Sequence, residues 1–322
     1  MERLGTVITL GNDFQAGVGN VQLADELGYE SAWVTDGMGR DAFVVLTAFA
    51  GATAQIALGT SIVTFYPRHP TVMARQALAL DEVSAGRFVL GIGTGHRSSM
   101  EVQLGYEMGD AVAATREYID VLRQVFTTGK VAHRGEFWNV DWSYPLPRPR
   151  ELKIMLAALN PPLMELSGEI ADGVVLWMAS DSYVRDVVVP RVAAGRATAG
   201  KSLDGFDIIA PIPVAITDDV QKAEAQLRTG IARSGSQPFY RREYLNAGFK
   251  EEVAEMDALR ARGGDPAQAV SDRLSNAMGK VGSKEDVRAF IQRFRKAGAN
   301  LPVLRPLSDA DTERTLREAI GA

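Results

Sequence analysis

Residues 57–97 read ALGTSIVTFYPRHPTVMARQALALDEVSAGRFVLGIGTGHR. Ile56 to Val63 is apolar and rich in β-branched residues, and Pro67 and Pro70 punctuate the next segment. Val72 to Leu80 repeats apolar residues at helical spacing (Val72, Met73, Ala77, Leu80). The spacing predicts a helix that stops at Ser84-Ala85-Gly86, where a glycine takes the left-handed cap. Phe88 to Ile92 is a second buried strand that runs into Gly91, Gly93 and Gly95. Two near-continuous hydrophobic strands joined by a crossover helix form a βαβ unit of a parallel sheet.

Working outward, the same alternation repeats. Strands are expected at Thr6–Leu10, Ser31–Thr35, Lys153–Ala158, Gly173–Met178, Phe206–Thr217 and Asn300–Leu304. Helices are expected at Val18–Leu27, Ala42–Ala54, Val112–Phe126, Pro161–Ile170, Tyr183–Thr198, from Ser283 through Lys296, and Asp309–Ile320. Two stretches interrupt the rhythm. Thr127 to Arg150 reads as a hairpin (VAHRGEFWNV) followed by a proline-rich connection, and Gln221 to Met278 is largely helical and polar. Eight strand–helix repeats predict an α/β fold, a (β/α)8 TIM barrel in one domain over residues 1–322. Insertions follow helix four and separate strands seven and eight. Pro211, Pro213 and Pro302 fall inside the last two strands, where proline is disfavoured away from ends and bulges, so an open doubly wound sheet is the competing fold.

The chain has 322 residues, 46% hydrophobic, with 35 Lys+Arg against 40 Asp+Glu, a net charge of -5. That balance offers no basic stripe for nucleic acid. With no cysteine, disulfide and thiol chemistry are excluded. No apolar run approaches the ~18 residues of a membrane span, and MERLGTVITLG lacks the pattern of a signal peptide. The expectation is a cytoplasmic protein acting on a small molecule.

In a TIM barrel the chemistry sits at the carboxyl ends of the strands. That rule singles out Asp36, Gly37 and Met38 after strand two, and Ser61, Ile62, Thr64, Phe65 and Tyr66 after strand three. It adds Gly93, Thr94, Gly95 and His96 after strand four, Ala157, Ala158 and Asn160 after strand five, and Trp177 after strand six. The set is rich in small residues and poor in nucleophile–base pairs, which suits a flat cofactor held largely by main-chain groups. Gly91-Ile-Gly93-Thr-Gly95 reads either as an anion nest or as a tight turn with close packing. It is not a dinucleotide fingerprint, because His96 stands where the third glycine belongs. His69, His96 and His133 are too scattered for a metal centre, and none is expected. His96 is the candidate titrating group, Asp36 is a site carboxylate or a loop cap, and Arg68 is an anion contact or an ion pair.

LGTSIVTFYPRHPTVMARQALALDEVSAGRFVLGIGTG, AWVTDGMGRDAFVVLTAFA, TREYIDVLRQVF, GEFWNV and EIADGVVLW together resemble the luciferase-like monooxygenase superfamily. Within it the chain is most similar to the branch using coenzyme F420, the methylenetetrahydromethanopterin reductase-like enzymes. The resemblance is specific from about Ser31 to Met178. It implies a homodimeric oxidoreductase that moves a hydride between the deazaflavin and a small organic substrate. It also implies a cis peptide at Ser61–Ile62 behind the cofactor ring. Asp36, Ser61, Ile62, Thr64, Thr94, Gly95, His96, Ala157, Ala158 and Asn160 are the implied cofactor contacts, with the Ala157 and Ala158 amides on the phosphate-bearing side chain. His96, then Asp36, are the candidate acid–base groups. Phe65, Tyr66, Trp177 and the stretch Gln237–Phe249 are expected to face substrate. Two departures stand out: Gly37 where many members have histidine, and His96 where several deazaflavin enzymes have an acid. The competing functions are an FMN-dependent luciferase-like monooxygenase and a non-catalytic flavin- or deazaflavin-binding protein.

Overall fold

The computed structural model describes residues 2–11, 13–36, 39–145 and 151–321. The first half comprises β1 (Gly5–Val7), α1 (Phe14–Glu26), β2 (Ser31–Val34), α2 (Ala42–Ala52), β3 (Ala57–Thr60), β4 (Val63–Thr64), α3 (Pro70–Val83), β5 (Phe88–Gly93) and α4 (Ala111–Thr128). A hairpin of β6 (Lys130–Arg134) and β7 (Asn139–Ser143) leads to β8 (Ile154–Ala157), α5 (Pro161–Ile170), β9 (Gly173–Val175), α6 (Asp181–Tyr183) and α7 (Val189–Thr198). Then come β10 (Asp207–Ile216), α8 (Val220–Ser234), α9 (Pro238–Asn246), α10 (Lys250–Ala261), α11 (Asp272–Met278), β11 (Lys280–Gly282), α12 (Lys284–Ala297), β12 (Leu301–Pro306) and α13 (Asp309–Ala319).

Eight parallel strands in the order β12-β1-β2-β3-β5-β8-β9-β10 close on themselves through the β10–β12 pairing. The fold is the expected (β/α)8 barrel, and the doubly wound sheet is set aside. Val7, Trp33, Met155, Val175, Ile209, Leu301 and Val303 come from six strands and pack as one interior cluster. Trp33 fills the centre, 1% exposed, its indole N–H donating to Ser31 Oγ at 2.9 Å. A β-carbon on Gly59 would lie 2.4 Å from the Trp33 ring, so only glycine fits beside it.

The helices start and stop where local chemistry allows. Asp13 accepts from the Gln15 and Ala16 N–H groups, which starts α1 four residues ahead of the expected Val18. His69 caps α3 through Thr71 N–H, Pro70 occupies the first turn, and Gly86 (φ +84°) follows its end. Ser283 and Asp286 form a reciprocal capping box at α12. The single helix expected over Tyr183–Thr198 is instead broken by a π-helical turn at Val184–Val188, where Val189 N–H reaches back to Val184 O. Pro190 has no N–H to donate, so the helical ladder is already one bond short there.

Three further strand expectations need new bounds, and one strand had no counterpart among them. β1 lies at Gly5–Val7 rather than Thr6–Leu10. β9 ends at Val175, and Met178, expected inside it, adopts φ +51°. The third strand, expected over Ile56–Val63, is interrupted and gives β3 and β4, and the implied cis peptide at Ser61–Ile62 lies at the interruption. β11, three residues without an apolar pattern, pairs in parallel with Val214–Ile216 and was not anticipated.

β10 explains how two prolines sit inside a barrel strand. Leu176 N–H donates to Ile209 O at 2.9 Å and Leu307 N–H to Val214 O at 3.1 Å. By alternation, odd positions of β10 face β9 and β11, and even positions face β12. Pro211 and Pro213 thus point at the gap between Asp207–Ile209, paired with β9, and Val214–Ile216, paired with β11. Their missing N–H groups break no ladder. Between β10 and β11, helices α8–α11 pack a second apolar cluster (Leu227, Ile231, Tyr244, Met256, Leu274) against Ala215 and Val281. That cluster holds the insertion over the barrel mouth.

Candidate active site

At the carboxyl end of the barrel lies a cavity of about 600 Å³. Val7, Ile62 and Val175 belong both to the barrel interior and to the cavity lining, and so form its floor. Of the residues expected there, Asp36, Ser61, Ile62, Thr64, Thr94, Gly95, His96, Ala157, Asn160 and Trp177 all line it. Gly37 and Met38 lie outside the described residues, as does the end of the proline-rich connection, residues 146–150.

One wall is built by close approach of β5 to the β3–β4 break. Thr60 Oγ1 donates to Gly91 O at 2.7 Å and accepts from Gly91 N–H at 2.8 Å. A β-carbon on Gly91 would lie 1.9 Å from the Thr60 carbonyl oxygen, and one on Gly93 would meet Ile62 Cδ1 at 3.0 Å and Ala157 Cβ at 3.1 Å. The close-packing reading therefore holds for both. Gly95 is different, because it takes φ +72° and turns the chain toward His96.

His96 is half-buried at this turn. Its ring lies 5.6 Å from the Tyr240 ring, edge to face, and 6.3 Å from Phe239. Burial lowers its pKa, so the neutral imidazole persists below the ordinary histidine range.

Asp36 is committed elsewhere. Its Oδ2 pairs with Arg68 at 3.0 Å, and its Oδ1 accepts from Ala42 N–H at 3.1 Å. Arg68 also reaches Asp41 at 2.9 Å, and Asp41 caps α2 through Val44 N–H. The loop-cap reading of Asp36 and the ion-pair reading of Arg68 are the ones realised. Arg68 tethers the loop after β4 to the loop after β2. Arg68→Met leaves two half-buried carboxylates facing one another and is expected to lower stability by about 2 kcal/mol, read as a shifted urea midpoint.

Three expected residues are not in the cavity. Phe65 is fully buried and stacks on Tyr66 (4.6 Å) and Tyr118 (4.8 Å), while the Tyr66 hydroxyl donates to Met108 O at 2.6 Å. Both side chains anchor the loop against α4 and the hairpin rather than face substrate. Ala158 is buried, and its N–H donates to Val175 O at 3.3 Å, so that amide is not free for a phosphate. At the start of α5, Pro161 and Pro162 lack an N–H, and Asn160 Oδ1 accepts from Leu163 N–H at 3.1 Å. The Leu159 and Asn160 main-chain N–H groups and the Asn160 carboxamide NH2 are the donors left at that turn.

The opposite wall comes from the insertion and the last strand. Phe239 and Tyr240 of α9 and Arg305 of β12 line the cavity with Trp177. Of the stretch 237–249, these first two aromatics reach it. Glu243, one turn along α9, is 5% exposed and fastens the helix to the barrel. Its Oε1 accepts from Ser180 Oγ (2.9 Å) and Ser180 N–H (3.1 Å), while Oε2 is without a partner among the described residues. Burial pushes its pKa up to about 7. Because this pKa is raised above the unfolded value of about 4.5, the stability that Glu243 contributes is fully present below pH 4.5 and is lost as pH rises through 7. Glu243→Gln is expected to flatten that slope and to gain ~3 kcal/mol over the wild type at pH 8, measured by denaturant titration across pH.

Arg305 was missed because the sequence reading ended the eighth strand at Leu304. A lone cation at the carboxyl end of LPVLRP was the available signal. Among the described residues, no group of three His, Cys, Asp or Glu is placed to hold a metal ion, and no helix is long and apolar enough to cross a membrane.

A cavity at the carboxyl ends of a closed parallel barrel is where the active sites of this architecture lie. A family model for luciferase-like monooxygenases matches residues 2–301. The chain belongs to this family. It is 29% identical to the 5,10-methylenetetrahydromethanopterin reductase of Archaeoglobus fulgidus, over 86% of this chain and 85% of that one. Its fold superposes on the coenzyme F420-dependent tetrahydromethanopterin reductase of Methanopyrus kandleri with a TM-score of 0.87, at 23% identity and 99% of both chains. An F420-dependent secondary alcohol dehydrogenase superposes with a TM-score of 0.80, at 19% identity and 99% of both chains.

Proposed function

We propose that the protein is a coenzyme F420-dependent oxidoreductase that transfers a hydride between the deazaflavin and a small organic substrate. The observation that carries this reading is the cavity at the barrel mouth, walled by the β3–β4 break, Gly93 and Ala157, with one neutral imidazole at its edge. The coenzyme named for the Methanopyrus kandleri reductase and for the secondary alcohol dehydrogenase supports the choice of coenzyme. The residues fit such a group: Ile62, Gly93, Ala157 and Val175 offer small or flat apolar surfaces, and Ser61, Thr94 and Asn160 offer polar contacts at its border.

The deazaflavin, when bound, supplies the hydride chemistry at its ring. The chain supplies the rest. Ser61, Ile62, Gly93 and Gly95 would hold the coenzyme, Thr64 and Thr94 would present hydroxyls to it, and the Leu159 and Asn160 N–H groups would donate to its anionic part. Phe239 and Tyr240 exclude water from the other side. His96 would carry the proton on its own imidazole nitrogen. In its neutral form it accepts a proton as substrate is oxidised, and its protonated form returns one in the reverse direction. Asp36 acts through Arg68 and α2 as a positioning residue. Residues 1–322 work as one catalytic domain, and the family resemblance implies a cytoplasmic homodimer, which sedimentation would test.

Titrating the purified protein with F420 and, separately, with FMN tests the reading. Saturable F420 binding with weak or no FMN binding is the expected result. Tight FMN binding without F420 binding would turn the assignment to an FMN-dependent monooxygenase. F420 binding with no turnover across a wide substrate panel would leave a binding protein.

A further inference from the structure

Arg305 stands at the carboxyl end of β12 with its guanidinium 4.4 Å from the centre of the Trp177 ring, and both residues line the cavity. β12 is four strands around the barrel from β5, whose turn carries Gly95 and His96. Arg305 therefore enters the cavity from the side opposite the expected coenzyme wall. Stacking on indole offsets part of the cost of burying this cation. No side chain neutralises it: among the described residues, the charged group that acts on it is Arg233, which repels it, while Tyr240 stays a neutral phenol. Arg68, also at the mouth, is by contrast paired with Asp36 and Asp41. A buried guanidinium without a carboxylate is costly to retain, and it is suited to a charge brought in from outside.

We infer that Arg305, stacked on Trp177 beside Tyr240, is the anion-recognising residue of the substrate subsite, and that the substrate carries a carboxylate. A guanidinium fork matches the two oxygens of a carboxylate in one plane. One fork among apolar neighbours (Val7, Val175, Pro211) suits a monoanion better than a phosphate dianion. Trp177 adds a flat surface for the unsaturated or ring portion next to the acid. This assignment rests on the proposed reaction for the word substrate, but the subsite can be tested without it.

The probes are matched pairs that differ only in charge, benzoate with benzamide and cinnamate with cinnamamide, titrated against the full-length protein by calorimetry and tryptophan fluorescence. The acids are expected to bind and the amides to bind at least ~10-fold more weakly, with acid affinity falling as salt rises. Arg305→Met is expected to weaken acid binding by ~10²-fold and to leave the amides unchanged, with Arg305→Lys in between. Equal binding of acids and amides to the wild type overturns the inference, whether or not the variants fold. F420 titration of the same proteins separates the two sources of carboxylate. A tenfold loss of F420 affinity in Arg305→Met assigns the residue to the coenzyme's own acidic tail and overturns the substrate assignment. Charge-selective binding in a protein that fails to bind F420 would keep the subsite and discard the proposed coenzyme.

Discussion

Gly91→Ala is expected to cost the fold at least ~3 kcal/mol, a large share of the ~5–15 kcal/mol that holds a domain together. The added methyl would lie 1.9 Å from the Thr60 carbonyl oxygen, a main-chain atom with little room to retreat. Thr60 Oγ1 binds both the Gly91 carbonyl and its N–H, so β3 and β5 are tied together where they would have to separate. Thr60 and Gly91 are both buried, and water cannot replace what the shift would break. Gly93→Ala is the control. Its methyl meets the flexible end of the Ile62 side chain at 3.0 Å and Ala157 Cβ at 3.1 Å, both far looser than 1.9 Å from a carbonyl oxygen, so a smaller cost of about 1–2 kcal/mol is expected. Urea unfolding of both variants checks the contrast. A Gly91→Ala protein as stable as Gly93→Ala would mean that β5 is not pressed against β3.

His96→Ala is expected to lower turnover by ~10²–10⁴-fold while changing coenzyme affinity only a few-fold. The imidazole stands at the cavity edge between Gly95 and the aromatic pair Phe239–Tyr240. Its pKa is lowered by burial, so the limb of the rate profile that requires neutral imidazole should fall below pH 6.5. His96→Gln, which keeps a polar side chain without the titrating ring, should lose rate and lose that limb together. Unchanged turnover in both variants would remove His96 from the reaction.

The barrel was legible because its signals are local. Near-continuous apolar strands, caps such as Asn160 and Ser283, and stops such as Gly86 each mark an element on their own. The cavity wall was legible for a related reason: Ser61, Gly93, Gly95 and Ala157 come after strands that the pattern already placed. What escaped depends on pairing at a distance. Phe65 and Tyr66 occupy the right segment, yet whether they face the cavity or α4 depends on the chain break at residues 61–62 and on packing from Tyr118. Ala158 looked like a free donor because nothing near it in sequence reveals that Val175 accepts from it. Arg305 needed only two more residues of strand. Pro211 and Pro213 looked like an objection to the barrel until the neighbours of β10 were known, since a proline is harmless where no acceptor faces it.

β10 outlasts its partner β9 and takes β11 as a replacement neighbour beyond the rim. Both ends of the excursion from Thr217 to Gly279 are thereby clipped to a single strand, so barrel closure is indifferent to the length of chain between them. The excursion is built as a cassette: exchanging helices α8–α11 for those of a relative is expected to replace the Phe239–Tyr240 wall and leave the cavity wall on β3, β5 and β8 as it is.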